Sequence, residues 1–234
     1  MKKLIVIVTL LLLMVLIGLG FAYGSPVKDY SNIIVLLVFL LLFSAYIYFE
    51  KSGLGSKEIG IIATLSSFAS VARVPFVAIP NVQPTTFIVA LSGYVFGPYL
   101  GFLVGSTTAF ISNIFLGQGP WTPWQMLAWG LIGAFSGALG LIKAKKGKVI
   151  SSEAFALLCF IYGFIFDWIM NLWHILGFIR PLTMKAILAA YATGLTLDIM
   201  HGAGNFIFAI ILFDQLYKVL ARFKKRLLIT YIKE

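Results

Sequence analysis

Two runs without a single charged residue, 4–21 and 33–49, set the first constraint on how this chain can fold. At a rise of 1.5 Å per residue, each is about long enough to cross the ~30 Å hydrocarbon core of a bilayer as one helix. A helix satisfies its own backbone hydrogen bonds where no water is available. Apolar stretches at 59–73, 85–117, 123–142, 154–179 and 186–213 repeat the pattern. Only 11% of the 234 residues are charged, against roughly 25% in soluble domains. The expectation is an all-α integral membrane protein, multi-pass in the cell membrane, with the lipid bilayer as its surroundings.

The stretch 85–117 is too long for one span and contains Gly97-Pro98. Proline is tolerated in the first turn of a helix and ends whatever precedes it. Splitting there gives eight helices; not splitting gives seven. With eight and both termini cytoplasmic, 14 of the 18 basic residues lie inside, including Lys143, Lys145, Lys146 and Lys148. Seven helices place at best 12 there. The positive-inside bias therefore selects eight, with 85–96 short or tilted. The expected organisation is two transmembrane helices in 1–52, a six-helix core in 53–214, and a basic amphipathic tail in 215–234 along the anionic inner leaflet. The N-terminus imitates a signal peptide, with Lys2, Lys3 and a small-residue site at Ala22-Tyr23-Gly24. Its apolar run exceeds the ordinary length of such a signal, so a retained helix is expected.

A net charge of +10 would suit a nucleic-acid binder. The basic residues, however, cluster in short segments between apolar runs, as cytoplasmic loops do, so no nucleic-acid partner is expected. The single cysteine, Cys159, excludes an internal disulfide and a cysteine-based metal site. Two histidines on separate helices offer no third ligand, so neither metal nor cofactor is expected.

Polar residues within the apolar runs carry the most information. Asp167, Asn171 and His174 share one helix face, and Asp198, His201 and Asn205 share another. A carboxylate at such depth must be paired, protonated or hydrated. The first set leads outward and is a candidate for ligand binding, although Asp167 and Asp198 could equally tie helices together. The second set leads inward and reads as scaffold or coupling. Segments 73–86 and 117–125 combine prolines, the amides Asn81, Gln83, Gln118 and Gln125, and the aromatics Phe76, Trp121 and Trp124. Rigid backbone, stacking area and placed amides suit a lid over a bulky ligand; an interfacial aromatic belt is the alternative. Arg73 and Asn113 lie at the same level, and Arg73 could pair with Asp167 or with an anionic group on the ligand. Gly93, Gly97, Gly101 and Gly105 recur every four residues, with Gly133 and Gly137 in the same spacing, as in close helix packing. Ala63, Ser66, Ser67 and Ser70 form another small-residue set, expected to pack internally or to dock a separate membrane subunit.

The Arg73-Val74-Pro75-Phe76 loop with its Ile79-Pro80, the segment Gly93-Tyr94-Val95-Phe96-Gly97-Pro98-Tyr99-Leu100-Gly101-Phe102, the pair Ser112-Asn113 and the 117–125 loop together resemble the S components of energy-coupling factor (ECF) vitamin transporters. The resemblance runs over 59–213, and the two N-terminal helices depart from it. Its tryptophan loop resembles a subgroup associated with corrinoid (cobalamin) uptake. The resemblance implies vitamin binding at the outer face, no catalysis, and partnership with a transmembrane coupling subunit and two cytosolic ATPases. No Gly-x-x-x-x-Gly-Lys-Ser/Thr phosphate loop occurs, so hydrolysis would fall to a partner. A secondary transporter using Asp167 or Asp198 as proton carrier would be supported by an inverted repeat, and none is evident. An intramembrane enzyme acting on a phosphorylated lipid would want clustered carboxylates or a basic cradle near one interface, and neither occurs.

Overall fold

A computed structural model describes residues 28–51 and 55–233. The helix expected over 4–21 lies outside these residues. The protein is an all-α membrane protein built from α1 (Lys28–Lys51), α2 (Ser56–Arg73), a short 3₁₀ turn (Val74–Phe76), α3 (Thr85–Phe96), α4 (Pro98–Leu116), α5 (Thr122–Lys145), α6 (Ser152–Phe178) and α7 (Met184–Lys233). Among the described residues, five helices are long and apolar enough to cross a membrane. The chain breaks where glycine and proline meet. Gly97 adopts φ 103°, a conformation L side chains rarely take, and Pro98 opens α4. The apolar stretch 85–117 is therefore two helices.

The shorter of these, α3, is 12 residues long, about 18 Å and too little to cross a bilayer alone. It has no need to meet lipid. Every residue from Thr85 to Val95 is buried, because α2, α4, α5, α6 and α7 all pack against it. Large apolar side chains such as Phe39, Phe43, Phe68, Phe110, Phe135 and Ile211 remain exposed on the outer helices. That outward apolar surface is what hydrocarbon accepts and water does not.

Glycine brings α3, α4 and α5 into backbone contact. A Cβ on Gly93 would overlap the Gly133 carbonyl oxygen, one on Gly133 would overlap that of Gly101, and one on Gly101 would lie 2.6 Å from the Gly93 Cα. Additional Cβ atoms on Gly105 and Gly140 would overlap the carbonyls of Trp129 and Tyr94. The four-residue glycine spacing is thus shared between two helices, with Gly97 as the turn. Gly163 and Gly202 do the same for α6 and α7, where an added Cβ would meet the Gly202 nitrogen at 2.7 Å. Lipid gives little hydrophobic drive for helix association, so close backbone approach supplies dispersion contact instead.

Helix α1 docks on this core. Ile34, Val38, Leu41 and Leu42 cluster with Phe102, Leu103, Trp124, Leu127 and Leu176. The Tyr46 hydroxyl hydrogen-bonds Ser106 Oγ at 3.0 Å and Thr107 Oγ1 at 2.9 Å, and Tyr99 donates to the Ala45 carbonyl at 3.1 Å. The small residues on α2 divide between a buried and an exposed pair. Ser66 and Ser70 are fully buried, and Ser70 Oγ donates to the Ser66 carbonyl at 2.7 Å and to Thr108 of α4 at 3.2 Å. Ala63 and Ser67 are exposed beside Ile59, Phe68 and Val71. All four fall on one stripe at i, i+3, i+4 and i+7, and α4 covers only its Ser66–Ser70 edge.

Basic residues gather at one end of the bundle, where the α5–α6 connection lies, and α7 runs unbroken from the opposite end through the basic tail for 50 residues. Gly133→Val should lower stability by about 1–3 kcal/mol or prevent folding, since backbone rather than a mobile side chain blocks the new methyls. Gly60→Ala, which meets nothing within 4 Å, should leave the melting temperature in detergent unchanged or slightly raised.

Candidate functional site

At the end opposite the basic cluster, the segment between the 3₁₀ turn and α3 reaches into the bundle. Gln83 and Pro84 are buried, and Val82 packs on Gly204 of α7. Non-helical backbone at this depth is tolerated where protein covers it. Asn81 turns the chain at φ 58°, in the left-handed region asparagine enters more readily than most residues. Its side-chain amide donates to Asp167 Oδ1 at 3.1 Å and to the Leu197 carbonyl at 3.2 Å.

Two hydrogen-bond networks converge here. The first centres on Arg73, the last residue of α2. Its Nε donates to Gln83 Oε1 at 2.6 Å, and one terminal nitrogen donates to Ser112 Oγ at 2.9 Å and Asn113 Oδ1 at 3.1 Å. Asn113 Nδ2 in turn donates to Gln125 Oε1 at 2.7 Å and Thr122 Oγ1 at 3.0 Å. Thr122 donates to Gln118 Oε1 at 2.9 Å, and Gln118 Nε2 closes the chain on the Phe110 carbonyl at 2.8 Å. Among the described residues every partner of Arg73 is neutral, and its second terminal nitrogen has no hydrogen-bond partner.

The second network links α3, α5, α6 and α7. Trp129 Nε1 donates to Thr86 Oγ1 at 2.9 Å, Thr86 Oγ1 lies 2.9 Å from His201 Nε2, and His201 Nδ1 lies 2.9 Å from Asp167 Oδ2. One assignment of protons satisfies the row: Thr86 donates its hydroxyl hydrogen to Nε2, and Nδ1–H donates to the carboxylate. Asn205, one turn beyond His201, accepts from the Phe87 backbone N–H at 2.9 Å and so caps α3 from a neighbouring helix. Its own Nδ2 donates to the His201 carbonyl.

Trp129 joins the networks. Its N–H belongs to the second, while the Arg73 guanidinium carbon stands 5.2 Å from its ring centroid in a cation–π contact. Phe166 stacks on it at 4.5 Å and holds His201 edge-on at 5.2 Å. The site thus combines a cation on an aromatic face, ordered amides and a buried carboxylate–imidazole pair. That chemistry can orient a polar, flat molecule. It provides no metal-ligating cluster among the described residues.

The structure brings together Arg73, Asn81, Gln83, Asn113, Gln118, Gln125 and Asp167. It does not bring in the rest of the expected set. Asp167 pairs with His201 and Asn81, not with Arg73. Asn171 turns toward α7, where an added Cβ on Gly194 would meet its Nδ2 at 3.0 Å, and that nitrogen is buried without a hydrogen-bond partner among the described residues. His174 is exposed and stacks on Phe178 at 5.5 Å. Trp124 is 2% exposed and packs with α1 in the apolar core. Trp121 is half-buried and meets Trp173 edge-on at 6.2 Å. Asp198 is buried on α7, at 2% exposure. Thr86, Thr122, Trp129 and Phe166 escape the sequence reading, and Ser112 enters it only within the Ser112-Asn113 pair. One signal was available: Thr122, Gln125 and Trp129 fall on one helix face, and a buried indole N–H needs an acceptor.

Residues 57–221 match the family described as ECF-type riboflavin transporter, S component. The chain is also 27% identical over 101 residues to a UPF0397 protein of Aliivibrio salmonicida (strain LFI1238), covering 41% of this chain and 55% of that protein. It is 28% identical over 98 residues to a UPF0397 protein of Aliivibrio fischeri (strain MJ11), covering 40% and 53%. A UPF0397 protein of Vibrio atlanticus (strain LGP32) is 29% identical over 96 residues, covering 39% and 52%. The chain thus spans about half the length of the curated relatives it matches. No solved structure gives a significant match.

His201→Ala, which leaves Asp167 and Thr86 without their buried partner, should destabilise the protein by about 1–3 kcal/mol. His174→Ala, at an exposed position, should shift stability by less than about 0.5 kcal/mol. Thermal unfolding of both purified variants in detergent checks the contrast.

Proposed function

Because the chain belongs to the family of ECF-type riboflavin transporter S components, a family of transport subunits rather than enzymes, we propose that it binds a vitamin at the outer end of its bundle and delivers it to partner subunits for ATP-driven uptake. The partners are a transmembrane coupling subunit and two cytosolic ATPases. The exposed pair Ala63 and Ser67 is the proposed docking position for the coupling subunit. Both termini lie in the cytoplasm, with Lys143 to Lys148 on the same side.

The ligand we assign is a flat, carbonyl-bearing heteroaromatic vitamin of the riboflavin class. One observation carries this reading. Arg73 is a cation held only by neutral side chains, laid on the face of Trp129, with donors to spare. Such a group gains most from a planar ligand rich in acceptor oxygens, which it can hydrogen-bond while the indole supplies stacking area. Gln83, Asn113, Gln125 and Asn81 fix the orientation, and Gln118 and Trp121 form the rim. A corrinoid fits less well, since Trp124 is committed to packing against α1 and Trp121 to Trp173. Coupled proton transport through Asp167 is the competing mechanism.

Calorimetric titration of the purified full chain should give saturable binding of riboflavin and none of cobalamin. Arg73→Met, checked for folding by gel filtration, should weaken binding by about tenfold or more. Unchanged affinity in that variant, or binding of cobalamin alone, refutes the ligand assignment. Proteoliposomes should accumulate the vitamin only when the coupling subunit and ATPases are present; uphill uptake by this chain alone would establish the proton-coupled mechanism. A cysteine placed at Lys146 should react with an impermeant maleimide in inverted vesicles and not in intact cells.

A further inference from the structure

The opposite end of the bundle holds a cavity that vitamin binding does not use. It measures about 330 Å³ and lies where α3 ends, between the α5–α6 connection and α7. Its polar side chains are Tyr94, Tyr217, Lys148, Lys224 and Lys225; the remaining lining residues are apolar or glycine, and none is an acid. Each of the five has a donor available. Tyr94 accepts from the Ile150 backbone N–H at 2.9 Å, so its own hydroxyl hydrogen is free. Lys224 gives one of its three N–H groups to the Val95 carbonyl at 2.5 Å, at the negative end of α3. Lys148, Lys225 and the Tyr217 hydroxyl have no hydrogen-bond partner among the described residues. Three ammonium groups facing one hollow repel each other, and an anion placed among them removes that cost.

We propose that this cavity binds the phosphate of an anionic phospholipid headgroup. The apolar part of its wall distinguishes a lipid from a free phosphate. Leu141 and Val149 line the cavity and are also 45% and 54% exposed, so the hollow opens onto the lipid-facing surface. Ile142, Val219 and Phe223 extend that apolar surface beside it. Acyl chains can lie there while the phosphate sits among the lysines. Basic pockets between helices at the cytoplasmic face are suited to such headgroups. The proposal uses the topology above only in placing this end in the anionic leaflet, and its test does not involve the vitamin.

The full chain, purified in an equimolar mixture of phosphatidylglycerol and phosphatidylcholine, should retain phosphatidylglycerol preferentially by native mass spectrometry. Lys148→Gln with Lys225→Gln should reduce that preference about tenfold. Lys224 is left intact because it also holds α3. Lys146→Gln with Lys218→Gln removes the same charge outside the cavity and should keep the preference; an equal loss there overturns the assignment to the cavity. Should the double variant fail to fold, Lys225→Gln alone must still lower the preference. Equal retention of both lipids by the unaltered chain overturns the proposal. So does saturable binding of inorganic phosphate at these lysines without any lipid preference.

Discussion

Backbone contact among α3, α4 and α5 is the constraint on which the rest of the structure depends. Glycines on three helices leave no room for a Cβ between them, so the helix axes are set by main-chain surfaces rather than by deformable side chains. That rigidity fixes where the ends of the helices fall. Arg73, Asn113, Gln125 and Trp129 come from three separate helices yet meet within hydrogen-bond or ring-contact distance. A binding constellation is useful only when its supporting elements cannot drift. Here the glycine seam is that support.

The second dependence is the disposal of polarity. Two networks place a guanidinium, an imidazole and a carboxylate inside an apolar bundle, with partners from neighbouring helices. Asp167 and His201 satisfy each other, whereas Arg73 is surrounded by neutral acceptors and an indole face. The contrast divides the site by role. The closed pair ties α6 to α7, and the cation is left oriented but without an opposite charge among the described residues. Buried polar groups specify helix register because a shifted helix leaves them unpaired.

Most of the fold was legible in the sequence, and the reasons are local. Gly97-Pro98 marks a break because both residues act through backbone geometry, which no distant contact overrides. Apolar runs mark helices because lipid imposes one solution. Side-chain direction was harder. Ser66 and Ser70 read as part of a single small face with Ala63 and Ser67, yet face inward, since neither pair reveals which neighbour it meets. Trp124 looked like an outer lid residue because it stands in a proline-rich aromatic loop; the presence of α1 beside it turns it into core. His174 follows Asp167 and Asn171 within about 20° of helical phase, yet it lies two turns nearer the helix end, where it is exposed. Trp129 and Thr86 escaped notice because each sits in an apolar run, where a polar role is evident only once the opposing helix is known.

One feature of α7 restricts how this bundle can move. The same helix holds both ends of the buried α3, through Asn205 on the Phe87 N–H and through Lys224 on the Val95 carbonyl. Sliding α7 along its axis would break one anchor as it loosened the other. It cannot act as a piston. Turning α7 as a unit about the α3 axis preserves both anchors. A disturbance beside His201 would then reach the basic end of the protein as a change of angle, carried by a single unbroken rod.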